Sequence, residues 1–147
     1  MEKKRPKILI TNDDGFAAKG LRKLVTLMRT LGDVTLVSTD EVMSAKSHSC
    51  TIRDRLYVRQ IQKEEGFVEF RCNGTPVDCV KIALDQLMAD RWPDLIIGGI
   101  NHGDNASVNT HYSGTMGVVM EGCMKYIPSM AYSLCDHNED ADFEPLR

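Results

Sequence analysis

Short apolar runs and helical spacings alternate along the chain. Ile8 to Thr11, in "KILITND", is a β-branched run that stops at turn residues and predicts a buried strand. From Ala17 to Thr30 the residues Ala18, Leu21, Leu24, Val25 and Met28 recur at helical spacing, and Gly32 follows as a stop. "VTLVST" (Val34 to Thr39) reads as a second strand, after which the polar "DEVMSAKSHS" breaks the periodicity. Residues 51–61 and 67–72 alternate like exposed strands around the turn "QKEEG", which predicts an inserted antiparallel hairpin. A helix is expected from near Thr75, with Pro76 in its first turn. "DLIIGGIN" (Asp94 to Asn101) is another buried strand, "SGTMGVVMEGCMKY" a glycine-bearing helix and "PSMAYSL" the last strand. Met116, Met120 and Met124, four residues apart, are expected in the core. This order predicts a three-layer α/β domain with a mostly parallel sheet.

Composition narrows the class without changing that picture. The 147 residues suit one domain with a real core, and 42% hydrophobic with 27% charged residues is ordinary for a soluble globular chain. A net charge of -3 argues against a nucleic-acid footprint. The basic residues Lys3, Lys4, Arg5 and Lys7 read as a solvated lead-in to the first strand. Five cysteines with no C-x-x-C spacing suggest free thiols in a reducing compartment. No secretory signal is visible and no apolar stretch reaches the roughly 18 residues of a membrane span, so a cytoplasmic location is expected. No repeat, low-complexity segment or linker interrupts the chain. Its ending, "DHNEDADFEPLR", is acidic and turn-rich, and Asp142, Phe143 and Glu144 look like the approach to a further helix.

The candidate chemistry follows the predicted strands. In open α/β sheets, ligands gather outside the carboxyl ends of the strands. There lie Asn12-Asp13-Asp14-Gly15, the loop Ser44 to Ser49, the run Asn101-His102-Gly103-Asp104-Asn105, and Tyr112-Ser113-Gly114-Thr115 at a helix start. Singly, each has an ordinary alternative: turn or capping chemistry for the acid pair, a plain loop for the serines, an asparagine-glycine turn, a helix N-cap. Together their chemistries complement one another. Two carboxylates, a hydroxyl and an amide carbonyl form a hard, all-oxygen set suited to Mg²⁺, Mn²⁺ or Ca²⁺. Ser113, Gly114 and Thr115 at a helix N-terminus offer an anion seat. A cation beside such a seat is what phosphoryl chemistry needs, and it would make two adjacent aspartates tolerable.

"ILITNDDG", "SAKSHS", "NGTPVDCV", "DLIIGGINHGDN", "YSGTMGVVMEG" and "IPSMAYS" resemble the SurE family of survival-protein nucleotidases, in order and spacing. The resemblance runs from about Lys7 to Ser133. It implies a Rossmann-like core and a divalent-metal-dependent 5′/3′-nucleotidase that hydrolyses nucleoside monophosphates. Carried over by position, the metal ligands fall on Asp13, Asp14, Ser44 and Asn101, with Asp13 and Asp14 as the catalytic candidates. The phosphate-binding positions fall on Asn105, Ser113, Gly114 and Thr115, with Asn12 close by. Gly74 and Thr75 match a turn read as structural or rim-forming. A homodimer or tetramer is implied for the full-length protein. Members of the family are longer, so the chain reads as truncated at its C-terminus, and a metal-binding but catalytically impaired form is an alternative. Lys46 and Ser47 stand where the family commonly has glycine.

The remaining residues carry plainer expectations. His102 is expected in an exposed loop, His48 and His111 near the substrate at most, and Glu121 as a buried hydrogen-bonding group. Two rival classes share the strand-then-acid opening. A phospho-receiver domain needs an aspartate after its third strand and a lysine after its fifth, and no such lysine follows "SMAYSL". A haloacid-dehalogenase-type phosphatase needs D-x-D, whereas Asp13 and Asp14 are contiguous.

Overall fold

A computed structural model describes residues 4–136, 138 and 141–146. The first strand, β1 (Lys7–Thr11), is buried from Ile8 onward because it lies inside the sheet with a parallel neighbour on each side. The others are β2 (Asp33–Thr39), β3 (Val58–Glu64), β4 (Phe67–Cys72), β5 (Leu95–His102) and β6 (Ser129–Leu134). Their order is β3-β4-β2-β1-β5-β6, and every pair is parallel except β3–β4. Strand alternation sends Ile8 and Ile10 to one face and Leu9 to the other. Helix α1 (Lys19–Leu31) covers the first through Leu21, Leu24 and Met28. Helices α2 (Pro76–Ile82) and α3 (Gly114–Met124) cover the second, around Leu9, Val37, Val80 and Val118. The result is the expected three-layer, mostly parallel α/β architecture.

The topology also places a crevice. From β1 the chain moves through α1 to β2 on one side, and β5 later joins β1 on the other. Such a switch point opens a cleft at the carboxyl ends of the two strands. Asn12 to Asp14 leave β1 there, and Asn101, next to last in β5, lies beside them.

Several expectations need correction. Residues 51–57 are not strand; β3 begins at Val58 and the turn moves to Glu65 and Gly66, with φ +70° at the glycine. The reason is a set of side-chain partners for the backbone. Asp78 accepts the Thr51 N–H at 3.0 Å, and Asn73 Oδ1 accepts the Tyr57 N–H at 2.7 Å, so the segment needs no ladder. The methionines of α3 are not core: Met116 and Met120 are half-buried and Met124 is 65% exposed. The buried face is Gly114, Thr115, Gly117, Val118, Glu121 and Gly122. Small residues there let the helix lie close to the sheet, and the methionines turn outward. His102 is not in an exposed loop but ends β5, half-buried and edge-on to Phe143 at 5.2 Å.

The chain ends are also tied down more than expected. Lys3 lies outside the described residues. Arg5 is no free lead-in, because it donates to Arg29 O and Gly32 O and pairs with Asp33, capping the last carbonyls of α1. Gly32 stops α1 in extended backbone, and a Cβ there would meet Pro6 O at 2.4 Å. Of the acidic ending, His137, Glu139, Asp140 and Arg147 lie outside the described residues. Phe143 is buried against α1, and Glu144–Leu146 form a single 3₁₀ turn in place of a helix.

Thr75 anchors the entry to α2. Its hydroxyl accepts the Asp78 N–H at 3.1 Å while Asp78 Oδ2 accepts the Thr75 N–H at 2.8 Å, a reciprocal capping box. The same hydroxyl donates to Ser49 O at 2.7 Å. Thr75→Ala is expected to cost about 1–2 kcal/mol of stability, read from denaturant midpoints. A change within experimental error would mean that the cap contributes nothing.

Candidate functional site

Four loops meet at the carboxyl ends of β1 and β5, around a cleft of about 400 Å³. Asp13, Asp14, Ser44, Asn101, Asn105 and Ser113 all line it. Asn12, Gly114 and Thr115 stand behind its wall.

Each lining group is held by an identifiable partner. Asp13 is 4% exposed, and its Oδ1 accepts the Thr115 hydroxyl at 2.6 Å. A Cβ on Gly114 would come within 3.0 Å of Asp13 Oδ2. The glycine therefore admits the protein's own carboxylate to the N-terminus of α3, where the helix dipole favours negative charge. Asp13 O also accepts the Met43 N–H at 2.7 Å, which ties the acidic loop to the start of the serine loop. Asp14 Oδ2 accepts the His102 N–H at 3.1 Å. Asn101 donates its amide to Gly103 O at 3.0 Å, leaving the carbonyl oxygen as its acceptor. Asn12 is fully buried and donates to Gly15 O at 2.9 Å, which closes the first turn.

The wall beyond β5 belongs to the loop before α3. Asn105 donates to Ser133 Oγ of β6 at 2.7 Å and accepts the Thr110 hydroxyl at 2.8 Å. Ser113 caps α3, its Oγ accepting the Met116 N–H at 3.0 Å. Three further residues line the cleft: Asp104 and Tyr112, which stand in the polar clusters without an assigned role, and Asn109, which stands in none of them. Asp104 had a signal, its place in "NHGDN", and it now accepts the Ala106 N–H at 2.7 Å. Of the histidines, His102 lines the cleft, whereas His48 faces away from it toward Glu121.

Electrostatics decide what such a cleft can hold. Asp13, Asp14 and Asp104 give it three carboxylates, and among the described residues no lysine or arginine lines it. At 4 Å, two like charges repel by about 4 kcal/mol at an effective dielectric of 20. A phosphate dianion would be repelled unless a cation came first. Carboxylate, hydroxyl and amide oxygens fit a hard divalent ion, and the Asn101 side-chain carbonyl contributes the amide oxygen of that set.

A family model, Survival protein SurE, matches residues 8–147. The chain belongs to the SurE family. The 5′-nucleotidase SurE of Bacteroides thetaiotaomicron is 50% identical over 145 residues, covering 99% of this chain and 56% of that protein. The 5′-nucleotidase SurE of Christiangramia forsetii is 48% identical, covering 100% of this chain and 57% of that one. The crystal structure of the SurE protein from Aquifex aeolicus superposes with a TM-score of 0.83 at 35% identity, covering 96% and 55%. The chain thus spans little more than half the length of these SurE relatives.

Proposed function

We propose that the cleft holds a divalent cation of the Mg²⁺ or Mn²⁺ type and hydrolyses nucleoside monophosphates to nucleoside and phosphate. The observation that carries this reading is that three carboxylates and neutral oxygen donors line one cleft, with no lysine or arginine beside them among the described residues. Among those residues, no three acidic or histidine side chains are drawn together there as a ready metal cluster. The nucleotidase names of the SurE relatives supply the substrate class. Asp13, Asp14, Ser44 and Asn101 are the groups that would hold the ion. The ion would supply Lewis-acid polarisation of the phosphoryl oxygens.

The chain's own residues do the rest. Ser113 Oγ already accepts a helix N–H, so its hydrogen is left to donate to a phosphate oxygen. Asn105, oriented by Ser133, holds the loop that faces it. Asp14 is the more exposed of the acid pair and is our candidate to take a proton from the attacking water. The water oxygen forms the new P–O bond, the ester P–O bond breaks, and the proton ends on the departing nucleoside oxygen. No helix among the described residues is long and apolar enough to cross a bilayer.

The test is phosphate release from a panel of 5′- and 3′-nucleoside monophosphates, with chelator and with added Mg²⁺ or Mn²⁺. Release that the chelator abolishes and the metal restores is expected. No release from any mononucleotide with either ion would overturn the proposal.

A further inference from the structure

We propose that Glu121 is a positioning residue for the serine loop: through His48 it fixes the segment that carries Ser44 into the cleft. The role of Ser44 rests on the function proposed above; the hold on the loop does not.

Glu121 sits mid-way along α3 and is 1% exposed. A buried carboxylate costs several kcal/mol unless it is paired. Two basic groups from different elements meet it. Lys81 of α2 lies 3.0 Å from Oε1, and that hydrogen bond raises the lysine's pKa above its ordinary value. His48 Nε2 lies 3.2 Å from Oε2. This approach is a close polar contact rather than a hydrogen bond, because both atoms are buried without a hydrogen-bond partner among the described residues.

Lys81 alone would neutralise the carboxylate, so the second partner has another consequence. His48 belongs to a loop with no ladder or helix of its own. Ala45 and Ser47 there adopt φ +58° and +56°. The left-handed positions are therefore Ala45 and Ser47, not Lys46. Each costs about 1–2 kcal/mol for a residue with a side chain, so the loop keeps its shape only if it is held from outside.

The loop's ties run to several elements: Met43 N–H donates to Asp13 O, the Thr75 hydroxyl donates to Ser49 O, and the rest reach the α3 side. Ser47 N–H donates to Tyr112 O at 2.9 Å, and its hydroxyl donates to His111 O at 2.6 Å. Gly117 provides the bed: a Cβ there would meet Ser47 O at 2.6 Å and His48 Cα at 3.3 Å. Beside the hydroxyl ties of Ser47 and Thr75, the His48–Glu121 contact adds a side-chain anchor on α3 itself. Ser44, four residues earlier, takes its place from the loop so fixed.

The test compares His48→Ala, Glu121→Gln and Lys81→Met with the parent protein. Mn²⁺ titration calorimetry reads the cleft, and amide exchange at Ser47 reads the loop. His48→Ala and Glu121→Gln should each weaken Mn²⁺ binding by about tenfold, the size of an outer-sphere effect, and speed Ser47 exchange. Combining them should add little, because both remove one contact. Lys81→Met should lower the melting temperature and leave Mn²⁺ affinity within about twofold. Parent-like affinity and exchange in His48→Ala would overturn the proposal. So would an equal loss in Lys81→Met, which would reduce Glu121 to a stability role. If the parent bound no Mn²⁺, the reading of the cleft would fall, and unchanged Ser47 exchange would still dispose of the anchor separately.

Discussion

Asp13→Asn is expected to lower metal-dependent phosphate release by about a hundredfold to a thousandfold. A cation's stabilisation of phosphoryl charge is several kcal/mol, and each 1.36 kcal/mol is a factor of ten in rate. The substitution is close to isosteric. An asparagine carbonyl can still accept the Thr115 hydroxyl that Asp13 Oδ1 accepts at 2.6 Å. What it removes is charge, at the most buried of the cleft carboxylates. Stability should therefore change little while Mn²⁺ affinity falls. Thr115→Val is the companion variant, since it leaves the charge and removes the hydroxyl that aims it. Its loss in rate should be smaller, about tenfold, with the metal requirement retained. Turnover, calorimetric Mn²⁺ affinity and melting temperature together separate these cases. Parent-like turnover in Asp13→Asn would remove this residue from the proposed machinery.

The layers were readable because they depend on local period. Ile8 to Ile10 and Leu95 to Ile100 are runs without a polar side chain, as strands covered on both faces tend to be. Leu21, Leu24, Val25 and Met28 mark the single face that α1 buries. The places of the four polar clusters then followed from parallel topology, which puts strand ends on one side of the sheet. The errors arose where a distant residue overrides the local pattern. Alternation at 51–57 means nothing once Asp78 and Asn73 have taken its N–H groups. The methionine spacing in α3 is helical, but it lies on the wrong face because glycines and Thr115 already occupy the sheet side. Gly114 reads from sequence as room for a ligand, and in the fold that room is taken by Asp13. The pairing of His48 and Lys81 with Glu121 joins three segments up to 73 positions apart (121 − 48), and no local spacing signals it.

Arg22→Met should be among the most destabilising surface-adjacent substitutions, at about 2–3 kcal/mol. Arg22 of α1 reaches across to Glu69 of β4 with two parallel bonds, 2.8 and 2.9 Å long. Those bonds raise the pKa of its guanidinium further, chiefly by hydrogen bonding to the carboxylate. The partners are unequally exposed: 39% for the arginine side chain and 4% for the glutamate. Removing a partner from a fully buried pair costs about 3–5 kcal/mol. Here the partial exposure of Arg22, and Arg71 at 4.0 Å from the same carboxylate, pull the figure down. The inequality also predicts an asymmetry. Arg22→Met strands a buried charge, whereas Glu69→Leu frees an arginine that can turn into water and places leucine beside Leu36 in the α1 layer. The second change should cost less than the first. The double variant should lie within about 1 kcal/mol of the parent, since it leaves no uncompensated charge and adds apolar contact. Urea midpoints for the four proteins of this cycle measure it directly. A double variant as unstable as Arg22→Met would show that the pair contributes net attraction rather than mutual neutralisation.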